Sequence, residues 1–320
     1  MSEENNNPNW ERSVLEKLAM SAIQEQRRAR HWGIFFKVLT FGYLFLLLFL
    51  FMGWADEHGE GGVAGEKHVA LIDLSGVISA ESMANADNLI GSLQDAFADK
   101  NTAAVLMRCN SPGGSPVQAG LVNDEIRRLR ALHPEIQLHV VVEDMCASGG
   151  YFIAAAADKI FVNKASIVGS IGVLMDGFGF TGTMEKLGVE RRLMTAGDNK
   201  GFMDPFSARN PKHEAFTKGL LVGIHQQFID VVKQGRGKRL KETPEMFSGL
   251  FWSGDKAIEM GLADEIGSVD SVARDVVKVE NIVDFTTHEG FADRLAKKLG
   301  AGVASAFPGF GAQVGGVTLR

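Results

Sequence analysis

Three glycine-rich turns and one lysine hold the side chains of this sequence best suited to chemistry. The turns are Asn110-Ser111-Pro112-Gly113-Gly114, Ala147-Ser148-Gly149-Gly150-Tyr151 and Val168-Gly169-Ser170-Ile171-Gly172-Val173. Each stands at the end of an apolar segment, and ligands of α/β folds bind at strand C-terminal ends. Ser148 falls between a strand and an apolar helix, where a serine ordinarily caps the helix. The same position suits a nucleophile, because the two glycines after it let another chain approach the hydroxyl. The G-x-S-x-G elbow is absent, since residue 146 is Cys. Gly113-Gly114 reads either as a tight turn or as an oxyanion hole, whose backbone donors are worth about 2.7–4 kcal/mol each in a transition state. No G-x-x-x-x-G-K-[ST] or G-x-G-x-x-G pattern occurs at this turn, so it is not a nucleotide loop.

A serine nucleophile needs a base, and the eight histidines offer no obvious one. His139 alternates within a strand, while His213 and His225 fall on a helix, all three in structural or surface positions. A lysine whose pKa burial lowers can do the same work as a neutral amine. Lys200, in Gly197-Asp198-Asn199-Lys200, has Phe202, Met203 and Phe206 close by in sequence. Taken alone it reads as an ordinary solvated lysine. In the basic role it must lack a carboxylate partner, so Asp198 and Asp204 are expected to point outward.

The elements that must position these residues alternate. Apolar runs His68–Leu74, Ala103–Arg108, Gln137–Val142, Lys159–Asn163, Glu190–Thr195 and Ala263–Ile266 read as strands. Helical spacing marks Glu81–Asp99, Val117–Leu132, Gly149–Ala157, Pro211–Gln234 (ending at Gly235), Gly254–Met260 and Val269–Val277. Such alternation predicts an α/β domain with parallel strands and crossover helices. Phe291–Phe307 has the spacing of an amphipathic helix, and Pro308–Arg320 is glycine-rich and loose. The basic run Lys233–Lys241 reads as a helix end and a solvated loop rather than a headgroup site.

Val38–Trp54 is a 17-residue run without a formal charge. It spans about 26 Å as a helix, and extension back to Trp32 adds only Lys37, which can snorkel. Its apolar character on every face sets it apart from a core helix. Arg27, Arg28, Arg30 and Lys37 precede the run, and Asp56, Glu57 and Glu60 follow it. This asymmetry predicts a cytoplasmic N-terminus and an exported remainder. Gly53-Trp54-Ala55 is a poor cleavage site after a long leader, so an uncleaved anchor is expected. The predicted organisation is a cytoplasmic segment 1–31, an anchor 32–54, a linker 55–67, a globular domain 68–285 and a tail 286–320.

Over its 320 residues the chain is 45% hydrophobic and 22% charged, a globular balance. A net charge of −6 excludes a general nucleic-acid binder, which needs a basic face. Two cysteines are too few for a disulfide framework or a four-cysteine zinc site. Cys109 and Cys146 are expected to be buried free thiols.

The ordered set NSPGG, ASGGY, GSIGV and the G-x-x-K loop, followed by FIDVVKQGRGKR and SGDKAIEMGLADEIGS, resembles the signal peptide peptidase A family, peptidase family S49. The resemblance runs from about His68 to Val283. It implies a ClpP/crotonase-like α/β superfold of β-β-α units preceded by one transmembrane helix. It implies a serine endopeptidase with Ser148 as nucleophile, Lys200, 52 residues later, as general base, and Ser170 orienting the lysine amine. The oxyanion donors it implies are Gly149 with either Gly113 or Gly114. No metal or cofactor is expected. The implied partners are remnant signal peptides and other apolar peptides, the bacterial inner membrane through residues 32–54, and further copies in a homo-octamer. The catalytic domain would then lie on the periplasmic face. Lys200 serves either its own Ser148 or a neighbour's. Competing readings are a Ser–Lys membrane protease with a regulatory protein substrate, a crotonase-type acyl-CoA enzyme and a non-enzymatic scaffold. The C-terminal tail is a candidate for restraining a neighbour's groove.

Overall fold

Long, continuously apolar strands flanked by amphipathic helices make a sheet buried on both faces. The computed structural model describes residues 8–58 and 65–288. Part of the expected linker 55–67, the helix expected over Phe291–Phe307 and the glycine-rich stretch after it lie outside those residues. Contacts divide the chain into two units, residues 61–289 and a second that contains the N-terminal helix.

In the globular unit the elements run β1 (His68–Ile78), α2 (Ala86–Ala98), β2 (Thr102–Gly114), α3 (Pro116–Leu132), β3 (Gln137–Ala147), α4 (Gly149–Ala154), β4 (Lys159–Val162) and β5 (Ile167–Gly169). They continue as α5 (Thr181–Lys186), α6 (Pro211–Arg236), β6 (Phe251–Ser253), α7 (Gly254–Glu259), β7 (Glu265–Ile266), α8 (Val269–Ser271, prolonged by a π turn over Val272–Val277) and β8 (Ile282–Asp284). The sheet order is β6-β5-β3-β2-β1-β8, with β4 also on β3 and β7 on β4. All pairs are parallel except β5 with β6. This mixed α/β sheet has the architecture of a ClpP-like fold.

β3 pairs with two different strands along its length. His139–Val142 faces β4, and Met145–Ala147 faces β5. The split lets the chain after β4 return beside the end of β3, where Ser148 stands. One sheet face packs Ile72, Leu74, Met107, Val140 and Ile160 against the helices, including Leu93, Ile126 and Phe228. The other buries Val69, Leu71, Leu106, Val141 and Phe161 under Val272 and Ala273.

Glu190–Thr195 is not the strand expected; residues 190–195 are exposed and irregular. They pair with no strand of the sheet. α6 runs two residues past Gln234, and Gly237 at φ +52° caps it in place of Gly235. Gly235 instead packs against a backbone: a Cβ there would lie 1.8 Å from the Ala155 carbonyl oxygen.

In the second unit α1 (Pro8–His58) is one continuous helix of 51 residues, about 75 Å long at 1.5 Å per residue. Among the described residues it is the one helix long and apolar enough to cross a membrane, with a mean hydropathy of 1.9 in its best window. Its length exceeds a hydrocarbon core of about 30 Å by more than twofold.

Candidate active site

Ser148 follows β3 directly and precedes α4, with φ 50° and ψ −123°. A non-glycine residue there is strained by about 1–3 kcal/mol. Its side chain makes no capping bond to the helix it precedes, so the capping reading of this serine does not hold. The backbone is pinned instead. The Ser148 N–H donates to Gly169 O at 2.8 Å, and Phe152 N–H donates to Ser148 O at 2.9 Å.

The first bond places Ser170 next to the residue that holds Ser148. Ser170 is itself at φ 52°, and its N–H donates to Leu250 O at 2.8 Å. His225 on α6 donates Nε2–H to Ile171 O at 3.1 Å, which ties the Ser170 loop to the helix. Gly169 is required here. Its φ is +109°, and a Cβ would stand 3.1 Å from Trp252 Cδ1.

The end of β2 meets Ser148 from the other side. Ser111 is fully buried, and its Oγ–H donates to Gly76 O at 2.6 Å. The same Oγ accepts the Gly113 N–H at 3.1 Å, so that donor is already engaged. Gly113, at φ +97°, lies against the Ser148-Gly149 backbone; a Cβ on it would be 2.6 Å from both Gly149 N and Ser148 Cβ. Gly114 N approaches Gly149 less closely, 3.2 Å from where a Cβ on Gly149 would be.

These turns open into a cleft of about 770 Å³ that contains Ser148, Ser170, Gly114 and Gly149. α3 contributes Pro116, Gly120 and Asp124, and α6 contributes Ile224, Gln227, Phe228 and Val231. Phe152, Val173 and Leu174 complete an apolar lining. Lys200 is not among the lining residues. It lies on the exposed segment between residues 173 and 210, in a turn where its N–H donates to Gly197 O at 3.1 Å. Phe202 stacks on His213 and meets Phe216 edge-on, so the segment leans on the start of α6.

Asp198 is exposed, but Asp204 does not point outward as expected. Ser207 Oγ–H donates to it at 2.6 Å, and Arg191 Nε lies 3.4 Å away. The Ser207 hydroxyl first, then the Phe206 N–H and Arg191, hold its carboxyl below the usual range against an opposing effect of burial.

Cys109 and Cys146 are disulfide-bonded rather than free, with Cα atoms 5.7 Å apart. The geometry follows from register: Ser111 pairs with Cys146 across β2 and β3, after an irregularity that begins at Cys109. The bond therefore lies two residues before Ser148 and two before Ser111.

Sequence reading missed three contributors: Ser111 as the anchor of the glycine turn, His225 as the tether of the Ser170 loop, and the pair Arg236–Asp264. Ser111, Arg236 and Asp264 fall within the motif stretches, whereas His225 lies just before one and carries no sequence signal of its own. Arg236, with no exposed side-chain surface, makes two bonds to Asp264 at 2.9 and 2.8 Å and a third to Gly261 O at 2.8 Å. Among the described residues no group of His, Cys, Asp and Glu is disposed to hold a metal ion.

Comparison with known proteins gives the same class as the fold and the serine-bearing turns. Residues 130–283 match the model of peptidase family S49. Over 216 residues (66% of this chain) the sequence is 44% identical to a protein of Brucella melitensis biotype 1 named Na(+)/H(+) antiporter NhaA, covering 29% of that protein. It is 29% identical over 242 residues to an Enterococcus faecium protein carrying the provisional name signal peptide peptidase SppA, covering 73% of this chain and 70% of that one. The chloroplastic serine protease SPPA of Arabidopsis thaliana is 27% identical over 219 residues, 65% of this chain and 32% of its own. The chain thus spans under a third of the antiporter-named relative and most of the Enterococcus one. Residues 130–283 carry the match to peptidase family S49, and the sequence is SppA-like.

Proposed function

We propose that the chain is a membrane-anchored serine endopeptidase that cleaves remnant signal peptides and similar apolar peptides, with Ser148 as nucleophile. One observation carries this reading: the Ser148 hydroxyl makes no cap bond, and its backbone is strained at the floor of an apolar cleft. A serine kept only for structure gains nothing from that conformation.

In the catalytic step Ser148 Oγ attacks the scissile carbonyl, and its proton passes to the neutral amine of Lys200. The resulting oxyanion is held by the N–H groups of Gly149 and Gly114. Gly114 is preferred over Gly113 because Ser111 already takes the Gly113 N–H. Ser170 orients the lysine amine. Collapse of the intermediate returns the proton from Lys200 to the leaving amine, and water then releases the acyl group by the same route.

A basic lysine must be desolvated, yet Lys200 is exposed in the single chain. The segment that carries it also exposes Leu174 (80%), Phe178 (80%) and Met194 (93%). Apolar exposure on that scale suits a surface covered by protein. The reading is therefore a homo-oligomer, an octamer by family resemblance, in which a neighbouring copy covers the segment around Lys200. α1 anchors the assembly through residues 32–54, with the N-terminus cytoplasmic and the catalytic unit on the periplasmic side of the inner membrane. A fluorophosphonate probe tests the nucleophile directly. Its mass should appear on the peptide containing Ser148 and vanish in Ser148→Ala; labelling at another serine would overturn the assignment.

A further inference from the structure

We infer that Asp124 makes the Ser148 cleft selective for peptides that set one lysine or arginine side chain beside an apolar segment. The inference rests on the peptidase reading and adds the charge preference of that site. Of the residues lining the cleft, Asp124 alone is ionisable. It stands on α3 one turn beyond Gly120 and two beyond Pro116, and it is exposed.

Among the described residues no group forms an ion pair with it. Helix spacing would supply Arg127 or Arg128, three and four residues on, and Arg127 Nη2 is buried with no hydrogen-bond partner, Asp124 included. Arg128 gives Nε and Nη2 to Glu125 instead, each at 2.7 Å. Among the described residues Asp124 has neither an ion pair nor a side-chain hydrogen bond. A carboxylate at the edge of an apolar cleft, free of a partner, attracts a cation arriving with the substrate and repels an anion.

The shape of the wall suits a long side chain. A Cβ added at Gly120 would meet nothing within 4 Å, so the turn before Asp124 is open. A lysine or arginine can lay its methylene stem along Pro116 and Phe228 and carry its charge to the carboxylate. Gln227 on α6 adds an uncharged carbonyl acceptor to the same cleft. Leader sequences place basic residues directly before an apolar run, so this preference fits the substrate class proposed above.

The test uses the full chain in detergent and fluorogenic peptides of one apolar sequence. Each position in turn carries Lys, Leu or Glu. At one position the wild type should favour Lys over Leu about tenfold in kcat/KM, and Leu over Glu. Asp124→Asn should bring the Lys-to-Leu ratio close to one, and Asp124→Lys should favour Glu over Lys. Ratios within one protein are unmoved by a general loss of activity, which is all that a structural role for Asp124 would produce. Anisotropy of the same peptides, dye-labelled, on Ser148→Ala reads the preference without hydrolysis. If the wild type cleaves nothing, the peptidase reading fails; a lysine preference in binding that Ser148→Ala with Asp124→Asn abolishes still upholds the role of Asp124. A wild type with no lysine preference in binding or turnover at any position, or one that Asp124→Asn retains, overturns the inference.

Discussion

Gly113 and Ser148 come from different strands, yet a Cβ on Gly113 would stand 2.6 Å from the Ser148 Cβ. The end of β2 therefore has no room for a side chain at Gly113 and presses directly on the candidate nucleophile. Gly113→Ala adds both this clash and a methyl group at φ +97°. Activity should fall about a hundredfold or more, the scale of a lost oxyanion donor. Ser111→Ala, which frees the Gly113 N–H and leaves Gly76 O without its side-chain donor, should fall less in activity and lose about 1–3 kcal/mol in stability. Peptide hydrolysis and urea unfolding of the two variants separate these effects.

The Arg236–Asp264 pair should be a stability determinant. It joins the end of α6 to the chain entering β7, and Asp264 also accepts the Ile160 N–H of β4 at 2.7 Å. Burial alone would raise the Asp264 carboxyl, but the bonds and charge of Arg236, the Ile160 N–H and Arg239 together bring it below the usual range. Its contribution is thus present above the unfolded pKa of about 3.9 and lost as pH falls through the lower folded value. Asp264→Asn leaves a buried guanidinium without its counter-charge and should cost about 3–5 kcal/mol in urea unfolding at pH 7. A cost below about 1 kcal/mol would show that the pair is replaceable.

His139 should make the fold acid-sensitive at milder pH. It is 2% exposed, packs edge-on against Phe161, and neither ring nitrogen has a partner among the described residues. Burial pushes its pKa down, with Asp158 opposing weakly. The unfolded state then binds the proton more readily, so stability falls as pH drops below about 6.5 toward the depressed folded value. Melting temperature between pH 7.5 and 5 should fall in the wild type and fall less in His139→Leu. Equal slopes would contradict the assignment.

Much of this was legible in the sequence, and the exceptions have physical causes. The long strands β1, β2 and β3 announce themselves because burial on both faces makes their sequences continuously apolar. β5, β6 and β8 have three residues each, too few for a pattern, and β5 hides inside the glycine turn that carries Ser170. Residues 190–195 have a single apolar pair, Leu193-Met194, with no alternation behind it, and they pair with no strand. The three serine and glycine turns were readable as sites because their positions follow strand ends. The Asp204 contacts and the cysteine pairing depend on tertiary proximity that spacing does not carry.

The cysteine bond closes a loop with a separation of 37 residues. Loop-closure entropy for that length is worth about 4 kcal/mol. Protein purified without reductant should weigh about 2 Da less than its reduced form, the mass of two hydrogens, and Cys109→Ala with Cys146→Ala should unfold at lower urea. Free thiols in protein isolated under thiol-trapping conditions would show the pair reduced in place.

Central to the account is the joint action of Ser148 and Lys200. Its most direct test is hydrolysis of an apolar fluorogenic peptide by the full chain in detergent, beside Ser148→Ala, Lys200→Ala and Lys200→Arg. The account predicts a loss of about a thousandfold or more in all three, with folding and assembly intact, because an arginine does not deprotonate to act as base. Full activity in Lys200→Arg, or cleavage surviving in Ser148→Ala, would contradict it.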